Sequence, residues 1–555
     1  MTSILQESFG GIAPGIDARK MADSLAQIAD NCLFERNNLR ALRYPKPTDK
    51  VLAASTKSVF PYQHGWVEFD ERVSATLSPV ANDAYARFYY TDSSYPKVRS
   101  NSSVYRLGVP RPEDGPTAAL PAGAPEVVED PENLLEIETV YYLVTLVDAF
   151  GAEGPPSLPS GGLDRYRNDP VVVSLPSTPT LTGYNFGAGA LWRVYRSNTG
   201  TEDTGFQYVT DLPLATSTFE DTVPNDELQE LLPSLTWLGP PDDDATLWPD
   251  GPLQGLALGP NGILAGFAKK TVYFCEPYLP HAWPLEYSIT CRDEILGIVW
   301  TAGGLLVVTE GLPVMVGGSH PASLSMFTPE KGWAGTSRHT IVDMGGWAMY
   351  TAADGIVAVQ GQSFTLVTEQ LIMNNLWANM MPTGDNVLAG NAEGRYVLYW
   401  KRTIDDTEGC MILDLNQGAN AWTNTTQHSD VAYFNTAHGR LMVRDENNYL
   451  AEFDFGSNME FLWKSRVYTM PEPTNFAFLE IRANEYPVRV TIEAGENSWA
   501  GPVGESALTV RFDEDVTGPI TALPSGFEAT EWAFSVKDDR EVIYVALHED
   551  LTDTG

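Results

Sequence analysis

Basic residues are scarce in this sequence. Its 555 residues carry 35 Lys and Arg against 73 Asp and Glu, a formal net charge of −38. Binding nucleic acid through phosphate neutralisation takes a basic surface, so this balance argues against that route. An acidic wall would instead repel a duplex passing nearby and keep it from sticking, while solubility alone accounts for the same composition. Cysteine is also rare. Cys32, Cys275, Cys291 and Cys410 show no C-x-x-C spacing, and four in a chain this long make no disulfide framework. Each stands beside apolar or aromatic residues, which predicts buried free thiols. No run approaches the ~20 apolar residues that a bilayer span needs. The stretch from Met1 to Glu7 lacks a basic n-region and an apolar core, so no signal peptide is expected and the protein reads as soluble and made in a cytoplasm.

Catalytic signatures are missing as well. There is no G-x-S-x-G elbow, no phosphate-binding G-x-x-x-x-G-K-[ST] loop, no H-E-x-x-H, no EF-hand loop and no sialidase-type S-x-D-x-G-x-T-W box. The run Phe186 to Leu191 is a fragment of a dinucleotide fingerprint that lacks its third glycine and sits among strand patterns. Of the seven histidines, only His428 and His438 stand at a spacing that crosses a strand, and turn or surface roles explain them better than a metal. Asp445-Glu446-Asn447-Asn448 resembles a calcium loop without its glycine and reads more simply as a hairpin turn. Propellers that hydrolyse glycosides use two carboxylates across a channel. Asp293, Glu294, Glu310, Asp343, Asp354, Asp385 and Glu393 all fall in or near turns, where solvation explains each of them. Trp300, Trp333, Trp347 and Trp400 offer material for a sugar platform, although three of the four sit in strand patterns and read as core. No catalytic, cofactor-binding or metal-ligating residue is assigned, and no cofactor is expected.

What the sequence does have is a repeat. Hydrophobic residues make up 43%, and 47 Gly and 39 Pro are spread over many turns, as in all-β proteins. Between about Leu253 and Asp454 one motif recurs five times: an apolar run, a turn ending in glycine, a second apolar run and a third. The turn glycines Gly262, Gly304, Gly355, Gly394 and Gly439 are 42, 51, 39 and 45 residues apart. An X-Gly pair between apolar runs signals a hairpin, because the tight turn needs a positive φ that glycine adopts without steric penalty. Repeats of roughly 40–50 residues with three or four strands each match propeller blades. The competing reading is a two-sheet sandwich with chance regularity.

The rest of the chain divides around that repeat. Residues 1–50 form an N-terminal arm with one helical pattern, apolar at 21, 25, 28 and 29, which packs on its own body or on a neighbouring subunit. Residues 51–103, with strands around Trp66 to Phe69, Val73 to Leu77 and Ala86 to Tyr90, have the size and rhythm of a blade. Residues 104–240 are a linker and an inserted small β domain. Within it, Thr139 to Leu146 alternates as a half-buried strand should, and a Gly154-Pro155-Pro156-Ser157 exit follows. The order resembles a fibronectin type III sandwich. Blades return over 241–466, and a C-terminal β-sandwich-like domain closes the chain at 467–555.

Several stretches together resemble one family. They are Gly10-Gly11-Ile12-Ala13-Pro14 with Ala29-Asp30-Asn31-Cys32, Ser78 to Thr91, Asn261 to Phe267, Ser337 to Gly346, Ala353 to Val357, and Leu523-Pro524-Ser525-Gly526-Phe527 through Trp532. Across most of its length the chain is similar to the tail nozzle (tail tubular B-like) proteins of short-tailed bacteriophages, although the fibronectin-like insertion departs from the simplest members. The resemblance implies a propeller-bearing structural subunit without enzymatic activity, forming a homo-oligomeric ring, commonly hexameric, beneath the head-to-tail adaptor or portal proteins. The ring continues the channel through which double-stranded DNA leaves, without specific binding, and helps hold tail fibres or spikes. The implied location is the virion tail, assembled in the host cytoplasm without membrane insertion. The N-terminal arm and the C-terminal domain are where contacts between subunits are expected. The fold expected is all-β, a β-propeller of about six blades with an inserted fibronectin type III-like sandwich and a C-terminal β domain. The alternative is a propeller-type receptor-binding or glycan-degrading tail protein. A cellular propeller adhesin with a fibronectin module is a third reading, against which the missing signal peptide counts.

Overall fold

Turns punctuate this chain closely, and strands fill nearly everything between them. The computed structural model describes residues 3–128, 137–199, 204–415, 422–495, 508–524, 526 and 528–550. It is all-β: among the described residues one α-helix, Asn374–Met380, and five single 3-10 turns interrupt the strands. No described helix is long and apolar enough to cross a membrane. Ser525 and Phe527 of the motif quoted above lie outside the described residues.

Six four-stranded arrangements recur in chain order. The first joins Ser74–Leu77, Arg87–Thr91, Lys97–Ser100 and Ser103–Arg106. The second joins Gln254–Leu258, Leu264–Ala268, Thr271–Phe274 and Ser288–Thr290. The third holds Ile295–Thr301, Gly304–Thr309, Val314–Gly317 and Ser325–Phe327, and the fourth Val342–Asp343, Ala348–Ala352, Gly355–Gln360 and Ser363–Leu366. The fifth, Val387–Ala392, Arg395–Lys401, Glu408–Leu413 and Trp422–Thr425, continues into a ten-stranded sheet. The sixth takes Ala432–Asn435, Arg440–Arg444 and Tyr449–Glu452 and completes itself with a distant segment, Lys46–Val51.

The five glycines of the repeat all have positive φ, from 63° at Gly439 to 149° at Gly355. At Gly355 the requirement is double, since a Cβ there would also lie 2.1 Å from the Thr368 hydroxyl. That hydroxyl accepts a hydrogen bond from the backbone N–H of Ile356.

The chain divides into two compact units. Unit 1 comprises Met1–Arg72, Val299–Met315 and Thr328–Gly555. Its main core gathers Trp377, Trp422, Trp463, Trp532, Phe461 and Phe534, all essentially inaccessible to solvent. The N-terminal residues are built into this unit rather than lying free. Ser3–Gln6 pairs with the strand Val542–His548, Trp463 Nε1 donates to the Gly10 carbonyl at 3.0 Å, and Ile12 N donates to the Trp422 carbonyl.

The helix predicted around residues 21–29 does not form. Turns run through Asp23-Ser24 and a strand, Ala26–Asp30, follows. That strand pairs antiparallel with Phe461–Ser465 and touches Trp422–Thr425 in parallel at Asp30. Backbone pairing on both sides overrides a weak helical periodicity, and Met21, Leu25 and Ala29 still reach the core. A second set of buried residues packs the fifth arrangement on the sixth: Val397, Tyr399 and Ile412 against Leu441, Val443 and Phe453. Gly390 permits that approach, since a Cβ there would stand 2.5 Å from Leu441 Cδ1.

The strands expected together over residues 51–103 separate into two arrangements. Gly65–Phe69 forms a hairpin with Ser58–Tyr62, whereas Ser74–Leu77 opens the first four-stranded sheet. Both pairings are between neighbours in the chain, and the break falls in the short stretch between Phe69 and Ser74.

Unit 2 comprises Val73–Ile298 and Val316–Phe327. Its first and second sheets share a core of Tyr89, Val98, Leu256, Leu264 and Tyr273, closed by Trp248 and Trp283. The segment 117–221 is a separate module of short sheets around Tyr142, Val144, Leu146, Val173, Trp192 and Val194. The alternation over 139–146 predicts a half-buried strand, yet every residue of Tyr142–Val147 is buried. The Gly-Pro-Pro-Ser exit covers its other edge: Gly154 N, Ser157 N and Ser160 N donate to the carbonyls of Leu146, Val144 and Tyr142. Inside the module a fully buried Arg196–Asp221 ion pair also takes a 2.7 Å hydrogen bond from the Tyr142 hydroxyl.

Candidate functional site

Of the seven carboxylates singled out in the sequence, Asp343 caps a turn and Asp385 and Glu393 make ion-pair contacts. Glu294, Glu310, Asp343, Asp385 and Glu393 are exposed, and Asp293 and Asp354 are half-buried. Asp343 Oδ1 accepts from the backbone N–H groups of Gly345 and Gly346. Glu393 reaches Arg395 at 2.8 Å and Arg440 at 3.9 Å. Asp385 Oδ1 lies 2.8 Å from His339 Nε2. Among the described residues none of the seven shares a hydrogen bond with another. Trp300, Trp333, Trp347 and Trp400 are half-buried; Trp347 and Trp400 pack on the main core of unit 1 and Trp333 beside the third and fourth arrangements.

His438 is exposed at a turn, while His428 is half-buried elsewhere. Asp445 Oδ1 caps its turn by accepting from Asn447 N and Tyr449 N. No group of three or more His, Cys, Asp or Glu among the described residues is arranged to hold a metal ion. All four cysteines are free and buried. Burial pushes the thiols up, to about 12 at Cys275 and about 11 at Cys291, so they are not poised as nucleophiles.

The most chemically distinctive concavity lies in unit 1. It is a cavity of about 470 Å³ whose polar lining includes Lys57, Arg72, Asp385, His428, Asp430 and Arg444. The elements that place these residues are loops and strand ends: the flanks of the 58–69 hairpin, the turn before Val387, and the open end of the hairpin built on Ala432–Asn435 and Arg440–Arg444. Asp430 is clamped between Arg444 Nε at 2.7 Å and Lys57 Nζ at 3.1 Å. Burial works against its ionisation, but Arg444 and Lys57 outweigh that and hold the carboxyl below its usual range. Arg444 is further fixed by the carbonyls of Ala53 and Thr56 and the side chain of Asn448.

At the other side Arg72 and Arg338 stand close enough to repel. Burial lowers the pKa of each guanidinium; Arg338 lowers that of Arg72 further, and Asp385 opposes the shift at both. His339 is pushed down to about 4, first by burial and then by Arg72, against the hydrogen bond to Asp385. His428 is lowered by burial too, with Glu408 pulling the other way. Both imidazoles are therefore neutral at pH 7. Unit 2 holds a different concavity of about 580 Å³, lined largely by Leu107, Pro110, Pro155, Leu158, Leu238 and Trp248.

No protein-family model and no curated protein matches the chain. Solved structures match weakly. The extracellular domain of a hybrid two component system from B. thetaiotaomicron is 8% identical, with a TM-score of 0.24 over 80% of this chain and 43% of that one. A glycoside hydrolase family 43 arabinoxylan arabinofuranohydrolase from Bacillus subtilis is 9% identical, TM-score 0.15, over 69% and 93%. The tricorn protease is 10% identical, TM-score 0.22, over 93% and 45%. The chain thus spans less than half the length of two of these proteins, and at such scores the likenesses carry no argument.

Sequence reasoning missed the polar cavity. Asp385 stands out in the sequence only as a turn carboxylate, while Lys57, Arg72, Asp430 and Arg444 belong to no motif and come from segments up to 387 residues apart, 444 − 57. A cluster of arginines in an acidic chain is a faint compositional signal, and only the pairing of distant strands assembles it.

Proposed function

We propose that this chain is a structural subunit of a short-tailed phage tail nozzle, and that its six four-stranded arrangements are the blades of a propeller. The observation that carries the reading is the make-up of the sixth arrangement. Its fourth strand is Lys46–Val51, in antiparallel register with Tyr449–Glu452. A strand contributed from before the first blade to the last is the way a ring of blades is fastened shut, and it leaves no long unpaired edge. The buried packing of the first arrangement on the second, and of the fifth on the sixth, supports the same reading.

In this proposal subunits join by heterologous contacts whose rotation closes into a ring, commonly of six. The ring continues the channel below the head-to-tail adaptor, and fibres or spikes dock outside. With a net charge of −38 the lumen would repel DNA phosphates and let the duplex slide without adhering. The fibronectin-like module at 117–221 would serve as a spacer or docking arm on the outside. The role needs no chemistry from the chain, and five of the seven carboxylates, Glu294, Glu310, Asp343, Asp385 and Glu393, face solvent as a wall would have them.

Electron microscopy of the purified full chain, alone and with tail-less particles, tests the proposal. The expected result is a closed ring with an open bore, docked below the adaptor. A chain that stays monomeric at every concentration and releases sugars from a bacterial polysaccharide would overturn it in favour of the glycan-degrading alternative.

A further inference from the structure

The polar cavity of unit 1 has a feature that its ion pairs leave unexplained. Arg72 Nη1 is buried and has no hydrogen-bond partner among the described residues, while Nη2 reaches only the Asp385 carbonyl, at 3.5 Å. His428 Nδ1, in the same lining, is likewise buried without a partner. A buried polar group left unpaired is destabilising, and more so when it carries charge.

The charge count points the same way. Four cations, Lys57, Arg72, Lys401 and Arg444, line the cavity with three carboxylates, Asp385, Glu408 and Asp430. Lys401 is occupied by Asp406 and Glu408, and Asp430 by Lys57 and Arg444. Arg72 is left with Asp385, whose side chain is 89% exposed, and with the weaker pull of Asp430, which its own two cations already occupy. A surplus of positive charge in a partly desolvated cavity runs against a chain of net charge −38.

We propose that this cavity binds a small phosphate, either the free ion or a phosphate monoester, with Arg72 as its principal ligand and Lys57 and Arg444 at its rim. A guanidinium fork matches phosphate oxygens in pairs, and donors approaching from several directions suit a tetrahedral anion better than a planar carboxylate. The phosphate supplies the acceptor that Arg72 Nη1 lacks and offsets the repulsion between Arg72 and Arg338. About 470 Å³ also leaves room for a sugar-sized group on the ester oxygen. Duplex phosphates are disfavoured, since a polyanion meets the acidic surface over a long range whereas a small ion is screened from it.

The test titrates inorganic phosphate and, separately, ribose 5-phosphate into the full chain, with chloride at matched ionic strength. Heat and the ring-proton shifts of His339 and His428 are followed together. The expected result is saturable binding of one ligand per chain, with heat and both histidine shifts saturating at the same concentration. The tighter of the two ligands tells whether the free ion or the ester is preferred. Arg72→Gln should weaken binding by about tenfold or more, and Arg72→Lys by less. Lys269→Gln, at an exposed lysine in unit 2, should change nothing. If Arg72→Gln does not fold, the wild-type histidine shifts decide the matter by themselves. Heat no greater than chloride gives, unmoved histidines, wild-type affinity in a folded Arg72→Gln, or binding of a duplex oligonucleotide alone would each overturn the proposal.

Discussion

Asp454→Asn should destabilise unit 1 by about 2–3 kcal/mol. Asp454 is 5% exposed and takes a φ of 60° just after the last strand of the repeat. Its Oδ2 accepts from Arg40 Nη2 at 2.9 Å and from Arg395 Nη1 at 3.3 Å, and its Oδ1 from the backbone N–H of Arg43 at 2.9 Å. One carboxylate thus ties the N-terminal arm to the fifth and sixth arrangements. The side chains of Arg40 and Arg395 are only 15% and 9% exposed, so removing their shared counter-charge strands two guanidiniums.

Breaking a buried pair from one side costs about 3–5 kcal/mol. Glu35 and Glu393, both well exposed, also reach these arginines and bring the expected loss to the lower figure. Asparagine keeps the size, the acceptor for Arg43 and the tolerance for a left-handed backbone, so the substitution isolates charge. Asp454→Ala adds a lost hydrogen bond and backbone strain, for a total of about 4–6 kcal/mol. Scanning calorimetry of both variants should show the unit 1 transition lowered in that order, with the difference persisting in ~1 M salt because the pair is buried. An Asp454→Asn protein within about 0.5 kcal/mol of the parent would refute the argument, since that is the range of ordinary surface substitutions.

Three further outcomes are expected. Gly390→Ala should cost about 1–3 kcal/mol by overpacking against Leu441, and the added substitution Leu441→Ala should cost less in that background than in the parent, as denaturant titrations of the four proteins will measure. Tyr142→Phe leaves the buried Asp221 carboxylate one donor short; a loss of about 1.5–3 kcal/mol is expected by urea titration followed through Trp192 in the same module. Burial raises Asp148 to about 6, against the N–H groups of Ala152 and Phe150 that favour its ionised form. The folded state therefore holds a proton that the unfolded state has released between about pH 4 and pH 6, so this group's contribution weakens as pH rises through that window. Asp148→Asn, which keeps the Oδ1 acceptor for both N–H groups, should flatten the fall by about 3 kcal/mol at most, as melting temperatures across that window will check.

What was legible in the sequence was local. Gly262, Gly304, Gly355, Gly394 and Gly439 announce themselves because a positive φ between two apolar runs is a property of three or four adjacent residues, and all five have it. Strands between turn residues are legible over 137–222 for the same reason, whereas Thr117–Ala119, in a stretch that reads as linker, pairs with Val171–Ser174. What was hidden depends on partners far along the chain. Met21, Leu25, Ile28 and Ala29 have a helix-like spacing, yet two strands more than 390 residues away hold Ala26–Asp30 extended, 422 − 30 being 392. Tyr142–Val147 looked half-exposed because alternation says nothing of a covering segment such as 154–160. The polar cavity was least legible of all, since Arg72 and Arg444 mean nothing in sequence until the distant segments that carry them are brought together.

The strand Lys46–Val51 has a consequence for how the chain is made. Its partner begins at Tyr449, 449 − 51 = 398 residues later, so at about 5–20 residues per second the early segment waits roughly 20–80 s for it on the ribosome. A lone sticky ribbon waiting that long would invite pairing with another nascent chain. Two lysines, a proline and no buried side chain make this one a poor template for strangers. The last stitch of the sixth sheet is therefore protected during synthesis by its own polarity.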